Sequence, residues 1–165
     1  MPERCHPIAT LPPDRPGLSF AAPLYDIVQV SARRGTQLVM PPPGRSATAG
    51  GLTTLWVQPI TLLVIAAPMG EGVLAARLTR PGVSVVDQSH GRCVVEVAGV
   101  HARALLGRLC RIDLHPAAFP PGSVAVTPVA DMPCVVHHAS ADRFALVVFS
   151  TYAESFVHAL GQATA

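Results

Sequence analysis

Proline is the residue that most limits what this chain can fold into: it accounts for 17 of 165 residues and is unevenly spread. Six prolines fall within the first 23 residues, at Pro2, Pro7, Pro12, Pro13, Pro16 and Pro23. Proline fixes φ and lacks a backbone donor, so this stretch predicts neither a helix nor a central strand. We expect residues 1–23 to be an extended tail, either disordered or a strap that orders on a partner, before one domain at residues 24–165.

A second break, Met40-Pro-Pro-Pro-Gly44 and the residues up to Gly51, divides the first half of that domain and predicts no regular structure. Alternating polarity predicts a strand at residues 24–31 and a hairpin of strands at 52–57 and 61–66 around Gln58-Pro59. A helix is predicted over residues 70–80, ended by Pro81-Gly82.

The second half has the more regular pattern. Strands are predicted at residues 83–87 and 92–98, a helix at 100–109, and strands at 123–129, 133–138 and 144–149. Thr151 and Glu154 have capping-box spacing and predict the start of a last helix. The element order predicts an α+β fold of two tandem split βαβ units with mostly antiparallel sheets, the first shortened by a missing helix.

Low charge sets the surface properties. Charged residues make up 13% of the chain, about half of the roughly 25% usual in soluble domains, and 50% of the residues are hydrophobic. The longest apolar run, residues 62–67, is too short to cross a bilayer, so we expect a partner protein and not a membrane to cover the excess apolar surface. A net charge of +2 without a basic cluster argues against nucleic acid, and no secretory signal precedes the domain, so a cytoplasmic protein is expected.

Seven histidines and four cysteines raise the question of a metal site. The pool is His90, Cys93, Cys110, His115, Cys134, His137 and His138. No two cysteines have the short spacing of a structural zinc site, although Cys134 and His138 share a strand face, so core packing is the favoured interpretation. In a cytoplasmic protein, Cys5 and the other three cysteines are expected to be reduced thiols.

The sequence gives equally weak evidence for a catalytic nucleophile and for a cofactor-binding motif. Cys110 lies between Arg108 and Arg111, as an activated thiolate could, but it also follows the apolar helix stripe of Leu106 and Leu109, which favours the core. Gly70-Glu-Gly72 lacks the strand and the third glycine of a dinucleotide fingerprint. We therefore expect no catalytic, cofactor-binding or metal-binding residue in this chain.

Five further polar residues have two open interpretations: Asp87, His90, Arg92, Asp113 and His115. They are either local turn and loop residues that satisfy nearby backbone groups, or parts of a subunit interface formed by the Ser89 to Arg92 turn and the Asp113 to Gly122 loop.

Several motifs carry a resemblance to a known family: Asp87-Gln-Ser-His-Gly-Arg92, Cys110-Arg-Ile-Asp-Leu-His-Pro116, Phe119-Pro-Pro-Gly122 and the closing segment at residues 144–160. They resemble the gamma subunit of heterotetrameric sarcosine oxidase, whose fold is similar to the folate-binding domain of aminomethyltransferases. Members of that family usually carry an Ala/Leu-rich helix where this chain has its second proline-rich break. Aminomethyltransferases carry acidic residues where this sequence has Pro133 and Cys134, with Asp131 close by.

The resemblance implies a non-catalytic accessory subunit. Its partners would be the alpha, beta and delta subunits, mainly alpha, and FAD, FMN, NAD and tetrahydrofolate would bind to those partners. The complex would demethylate sarcosine or a related N-methyl amine oxidatively, as an oxidase or a dehydrogenase. The alternative is a stand-alone tetrahydrofolate-binding, aminomethyltransferase-like protein.

Overall fold

A computed structural model describes residues 6–164 and shows two five-stranded antiparallel sheets packed face to face. The first sheet has the order β3-β4-β5-β2-β6, and the second has the order β1-β7-β10-β9-β8. The strands are β1 (Ser19–Ala21), β2 (Asp26–Ala32), β3 (Ser46–Ala49), β4 (Leu52–Gln58), β5 (Thr61–Ala66), β6 (Val83–Asp87), β7 (Arg92–Ala98), β8 (Val124–Val129), β9 (Met132–Ser140) and β10 (Arg143–Phe149). The helices are α1 (Val73–Leu78), α2 (Ala102–Leu109), a 3₁₀ turn (Ser150–Tyr152) and α3 (Ala153–Ala163).

The α+β prediction is confirmed, and the strand order shows how the two units correspond. In the first sheet β5 lies between β2 and β4, and in the second β10 lies between β7 and β9, as in split βαβ units. An extra strand, β3 or β8, extends the same edge of each sheet. At the other edge of each sheet the correspondence continues: the tail strand β1 pairs with β7 in the second sheet, as β6 pairs with β2 in the first.

The two units differ in the helix after their first strand. Helix α2 follows β7, but residues 33–45, which connect β2 to β3, contain no helix. The second sheet therefore has two helices on its outer face, and the first has only the six-residue α1. The predicted shortening of the first half is thus seen directly in the fold.

Three apolar layers hold the elements together. The layer between the sheets includes Ile27, Leu55, Leu63, Val94 and Val147. A larger core joins the second sheet to α2 and α3, and a smaller one joins the first sheet to α1. Within residues 6–164, no helix has both the length and the apolarity needed to cross a bilayer.

Residues 6–23 lie against the domain. Ile8, Leu18 and Phe20 are buried in the core on the helix side of the second sheet, and the backbone N–H of Ala9 donates to Glu154 Oε1 at 2.6 Å. This contact corrects the predicted capping box, because α3 has no side-chain N-cap hydrogen bond and Glu154 instead binds the tail. The prediction that residues 40–51 lack regular structure was also wrong, since β3 forms there as an edge strand on β4.

Gly99 fixes the tail against β7 and gives a sharp stability prediction. Its φ is +112°, and a Cβ there would lie 2.3 Å from the backbone oxygen of Gly17. We expect Gly99→Ala to lower the free energy of unfolding by about 2–5 kcal/mol, because it adds backbone strain to a contact that cannot relax. Gly107→Ala, in α2 with open space around its Cβ, is the matched control and should stabilise by about 0.5–1 kcal/mol. Urea denaturation measures the free energy of unfolding of both variants. Equal changes in the two would contradict the close contact assigned to Gly99.

Candidate functional site

Arg92 lines a cleft between the two sheets. The cleft encloses about 220 Å³ at the end where β7 begins and β10 ends. Its polar lining is Gln29, Gln58, Thr61 and Arg92, and its other walls are Val57, Leu63, Val126, Pro133, Cys134, Val135 and Phe149. Arg92 is thus the single charged residue among those that line the cleft.

The strand register places Arg92 against Phe149. The two residues are partners across the β7–β10 pair, and the Arg92 guanidinium carbon lies 4.2 Å from the centre of the Phe149 ring. This stacking holds the guanidinium plane by a cation–π contact. Arg92 Nε is buried and has no hydrogen-bond partner among the described residues. Burial also lowers the pKa of Arg92 from its usual value.

A second polar cluster, around His138, lies at the opposite end of the second sheet. The His138 ring stacks on Phe144 with centroids 4.5 Å apart, and its Nδ1 lies 2.8 Å from the carbonyl oxygen of Phe119. Arg103 donates to the carbonyl oxygen of Leu114 and lies over the Phe144 ring. His138 is 1% exposed, so the cluster anchors the loop between α2 and β8 and offers no open site.

The five polar residues singled out in the sequence are divided between these two ends. Asp87 ends β6, His90 lies in the turn between β6 and β7, and Arg92 begins β7. Asp113 and His115 belong to the loop beside His138. Asp87 Oδ1 accepts from the Ser89 N–H, and Asp113 Oδ1 accepts from the His115 N–H, each at 2.8 Å. The local interpretation therefore describes both aspartates. The Ser89 to Arg92 turn leads into the start of β7, whereas the Asp113 to Gly122 loop contacts His138 near the end of β9.

The described thiols all lie in the core. Cys93, Cys110 and Cys134 are free and buried, whereas Cys5 lies outside the described residues. Burial raises the pKa of Cys93 to about 11 and also raises the pKa of Cys110 and of Cys134. The Cys110 Sγ donates to the carbonyl oxygen of Leu106 at 3.1 Å, which places it in the apolar stripe as the core interpretation expects. None of these thiols is disposed to act as a thiolate nucleophile.

Metal-ligating side chains are dispersed across the fold. Within residues 6–164, no three His, Cys, Asp or Glu side chains are grouped so that they could hold a metal ion. Asp131 sits in the two-residue β8–β9 turn, where it and Ala130 have positive φ and its side chain is exposed. It therefore does not line the inter-sheet cleft.

His137 links the two sheets and gives a pH prediction. It is 8% exposed, and its Nε2 lies 3.0 Å from Ser46 Oγ. Burial, and then the neighbouring His138, lower its pKa to about 4 from a reference value of 6.5. The unfolded chain therefore binds a proton between pH 6.5 and 4 that the folded chain does not, so stability is present above pH 6.5 and falls as pH drops through this window.

The expected loss is up to about 3 kcal/mol by pH 4, at roughly 1.4 kcal/mol per pKa unit. His137→Gln keeps a hydrogen-bonding group near Ser46 but cannot titrate, so its stability should change less across the same window. Denaturant unfolding at several pH values measures this difference. Identical pH profiles for the two proteins would contradict the assignment.

Comparisons with known proteins agree with this architecture. The family model described as "Sarcosine oxidase, gamma subunit family" matches residues 29–165. Sarcosine oxidase subunit gamma from Arthrobacter sp. is 31% identical over 133 residues, covering 78% of this chain and 64% of that protein. The same subunit from Corynebacterium sp. (strain P-1) is 31% identical over 111 residues, covering 66% and 54%. The chain thus spans between about half and two thirds of the length of these curated relatives.

Solved structures share the fold. Heterotetrameric sarcosine oxidase from Corynebacterium sp. U-96, in complex with pyrrole 2-carboxylate, contains a chain that aligns with a TM-score of 0.79 at 20% identity, covering 93% of this chain and 86% of that one. Glycine cleavage system aminomethyltransferase T from Bartonella henselae aligns with a TM-score of 0.66 at 12% identity, covering 87% and 45%. The predicted similarity to both folds is confirmed.

Proposed function

Since the chain belongs to the sarcosine oxidase gamma subunit family, we propose that it is the non-catalytic accessory subunit of a heterotetrameric flavoenzyme complex. The family match over residues 29–165, which includes nine of the ten strands in whole or in large part, carries this proposal. The complex would act in the cytoplasm and demethylate sarcosine or a related N-methyl amine oxidatively. The alpha, beta and delta subunits would carry FAD, FMN, NAD and tetrahydrofolate.

The state of the chain's own reactive groups supports an accessory role. The three described thiols are protonated at neutral pH because burial raises their pKa values. The resemblance to aminomethyltransferases implies acidic residues at two β9 positions that hold Pro133 and Cys134 in this chain, and neither of these can orient a substrate amine as a carboxylate does.

The loop between α2 and β8 is the surface that we propose packs on the alpha subunit. Leu114 and Phe119 are buried and anchor its middle part, and Arg45 holds its last part by donating to the carbonyl oxygen of Pro121 at 3.0 Å. Between the anchors, residues 115–118 are exposed and include Pro116, Ala117 and Ala118. This exposed stretch contains no Asp, Glu, Lys or Arg, which suits the centre of an interface, where charged residues are depleted.

Co-expression tests this role. We expect the chain alone to stay folded when dilute but to self-associate as its concentration rises, and to become monodisperse when it is produced together with the large flavoprotein subunit, because its surface carries exposed apolar residues such as Ile60 and Val126. Light scattering measures the difference. A stable monomer that does not associate with that subunit would contradict the proposal, as would flavin absorbance retained by this chain after denaturing separation.

The runner-up is a stand-alone tetrahydrofolate-binding protein, which the shared fold with aminomethyltransferase T favours. The inter-sheet cleft, at about 220 Å³, lies below the roughly 300–1,000 Å³ of pockets that take ligands of that size, whereas the groove of about 450 Å³ between residues 10–13 and α3 lies within that range. Titration calorimetry with tetrahydrofolate on the separated chain distinguishes the two functions, because the accessory role predicts no binding.

A further inference from the structure

We propose that the inter-sheet cleft is a binding site for a small monocarboxylate, with the Arg92 guanidinium as the anion-binding group. The inference depends on the proposed function in one respect: the experiment that tests it uses the assembled complex. Its grounds are the geometry of the cleft, the missing partners of Arg92 and the chemistry of the walls.

The first ground is that the Arg92 guanidinium has an N–H donor without a hydrogen-bond acceptor in the described chain. Guanidinium carries five N–H donors, and a buried donor without an acceptor is costly. Arg92 Nε is buried without a partner in the described chain, and none of the residues lining the cleft is acidic. An anion in the cleft would balance a guanidinium charge that burial has partly removed from water.

The second ground is that Arg92 is held in place before any ligand arrives. Phe149 lies under the guanidinium at 4.2 Å, and the paired strands β7 and β10 fix the backbones of both residues. An arginine held in this way loses little freedom on binding, and its planar fork matches the two oxygens of a carboxylate.

The third ground is the match between the walls and the class of ligand. Val57, Leu63 and Val126 provide apolar surface, and Gln29 and Thr61 provide hydrogen-bonding groups. A single arginine neutralises one negative charge, whereas a phosphate dianion would require more donors. The volume of about 220 Å³ limits the ligand to a small molecule with a short apolar body.

Fluorine NMR of the purified complex with trifluoropropionate as the probe tests the site. We expect the wild-type complex to bind the probe and to bind the uncharged trifluoropropionamide at least tenfold more weakly. Arg92→Met, which keeps the length and apolar contact of the side chain, should weaken probe binding at least tenfold, and Arg92→Lys should give an intermediate loss because it keeps the charge without the fork. Arg108→Met, at an exposed position on α2, is the matched control and should bind like wild type.

Each outcome decides the question. Because the substrate proposed for the partner subunits, sarcosine, is also a small monocarboxylate, the deciding quantity is the number of probe molecules bound per complex. Wild type should bind one more than Arg92→Met, and an equal number in the two overturns the proposal. An absence of binding to the wild-type complex also overturns it, and a simultaneous loss of assembly in Arg92→Met would assign Arg92 to a carboxylate of the partner subunit instead. If Arg92→Met does not fold, Gln29→Leu must weaken binding without altering stability. A failure to form any complex would contradict the proposed function before the probe is added.

Discussion

The double variant Ala117→Arg/Ala118→Arg is expected to fold normally and to lose at least nine tenths of its co-purification with the large flavoprotein subunit. Both alanines are exposed between the buried anchors Leu114 and Phe119, so the free chain accepts the arginines at little cost. In the assembled interface, the same two charges would be buried without partners, at a cost of about 3–5 kcal/mol each.

Ala104→Arg is the matched control, because Ala104 is also exposed but lies on α2. It should leave co-purification unchanged. Pull-down with a tagged large subunit measures both variants, and circular dichroism confirms that each is folded. Normal co-purification of the double variant would show that this loop is not part of the interface.

Phe144→Ala is expected to produce the largest loss of stability, about 3–5 kcal/mol, because it empties the centre of the main core. Phe144 is 1% exposed, and its ring stacks on His138 and lies under the Arg103 guanidinium. Removing it therefore creates a cavity and frees the loop that His138 anchors.

Phe149→Ala is the control on the same strand. Phe149 is 36% exposed, so its removal should cost about 1 kcal/mol, mostly the contact with Arg92. Urea denaturation measures both variants. Comparable losses would mean that the core is not centred where the structure places it.

Most of the fold could be predicted because prolines and glycines mark the ends of its elements. The predicted strands 61–66, 83–87 and 92–98 have the observed bounds, and the other predicted strands differ by at most two residues at either end. Strand β3 was missed because Ser46–Ala49 is short and has no large apolar side chain, and its pairing depends on β4 beyond the Gly50-Gly51 turn. Strand β1 was missed because it completes a sheet whose other strands begin more than seventy residues later.

The candidate site was harder to predict than the fold. Arg92 was noted in the sequence, but its cleft is lined from both sheets, by residues of β2, β4, β5, β7, β8, β9 and β10. No local pattern predicts which of these positions meet, or that Arg92 lacks an acidic partner. The capping box failed for a related reason, because Glu154 is bound by Ala9, which is 145 positions away.

The accessory role is tested most directly by turnover per bound flavin in the purified complex. The variants are Cys110→Ala, Cys134→Ala and His138→Ala, the three groups that a catalytic interpretation of this chain would need. All three are buried in the main core, so truncation should lower stability while the turnover number per flavin stays within about twofold of wild type. A loss of about a thousandfold in any of them, with subunit stoichiometry unchanged, would show that this chain takes part in the chemistry.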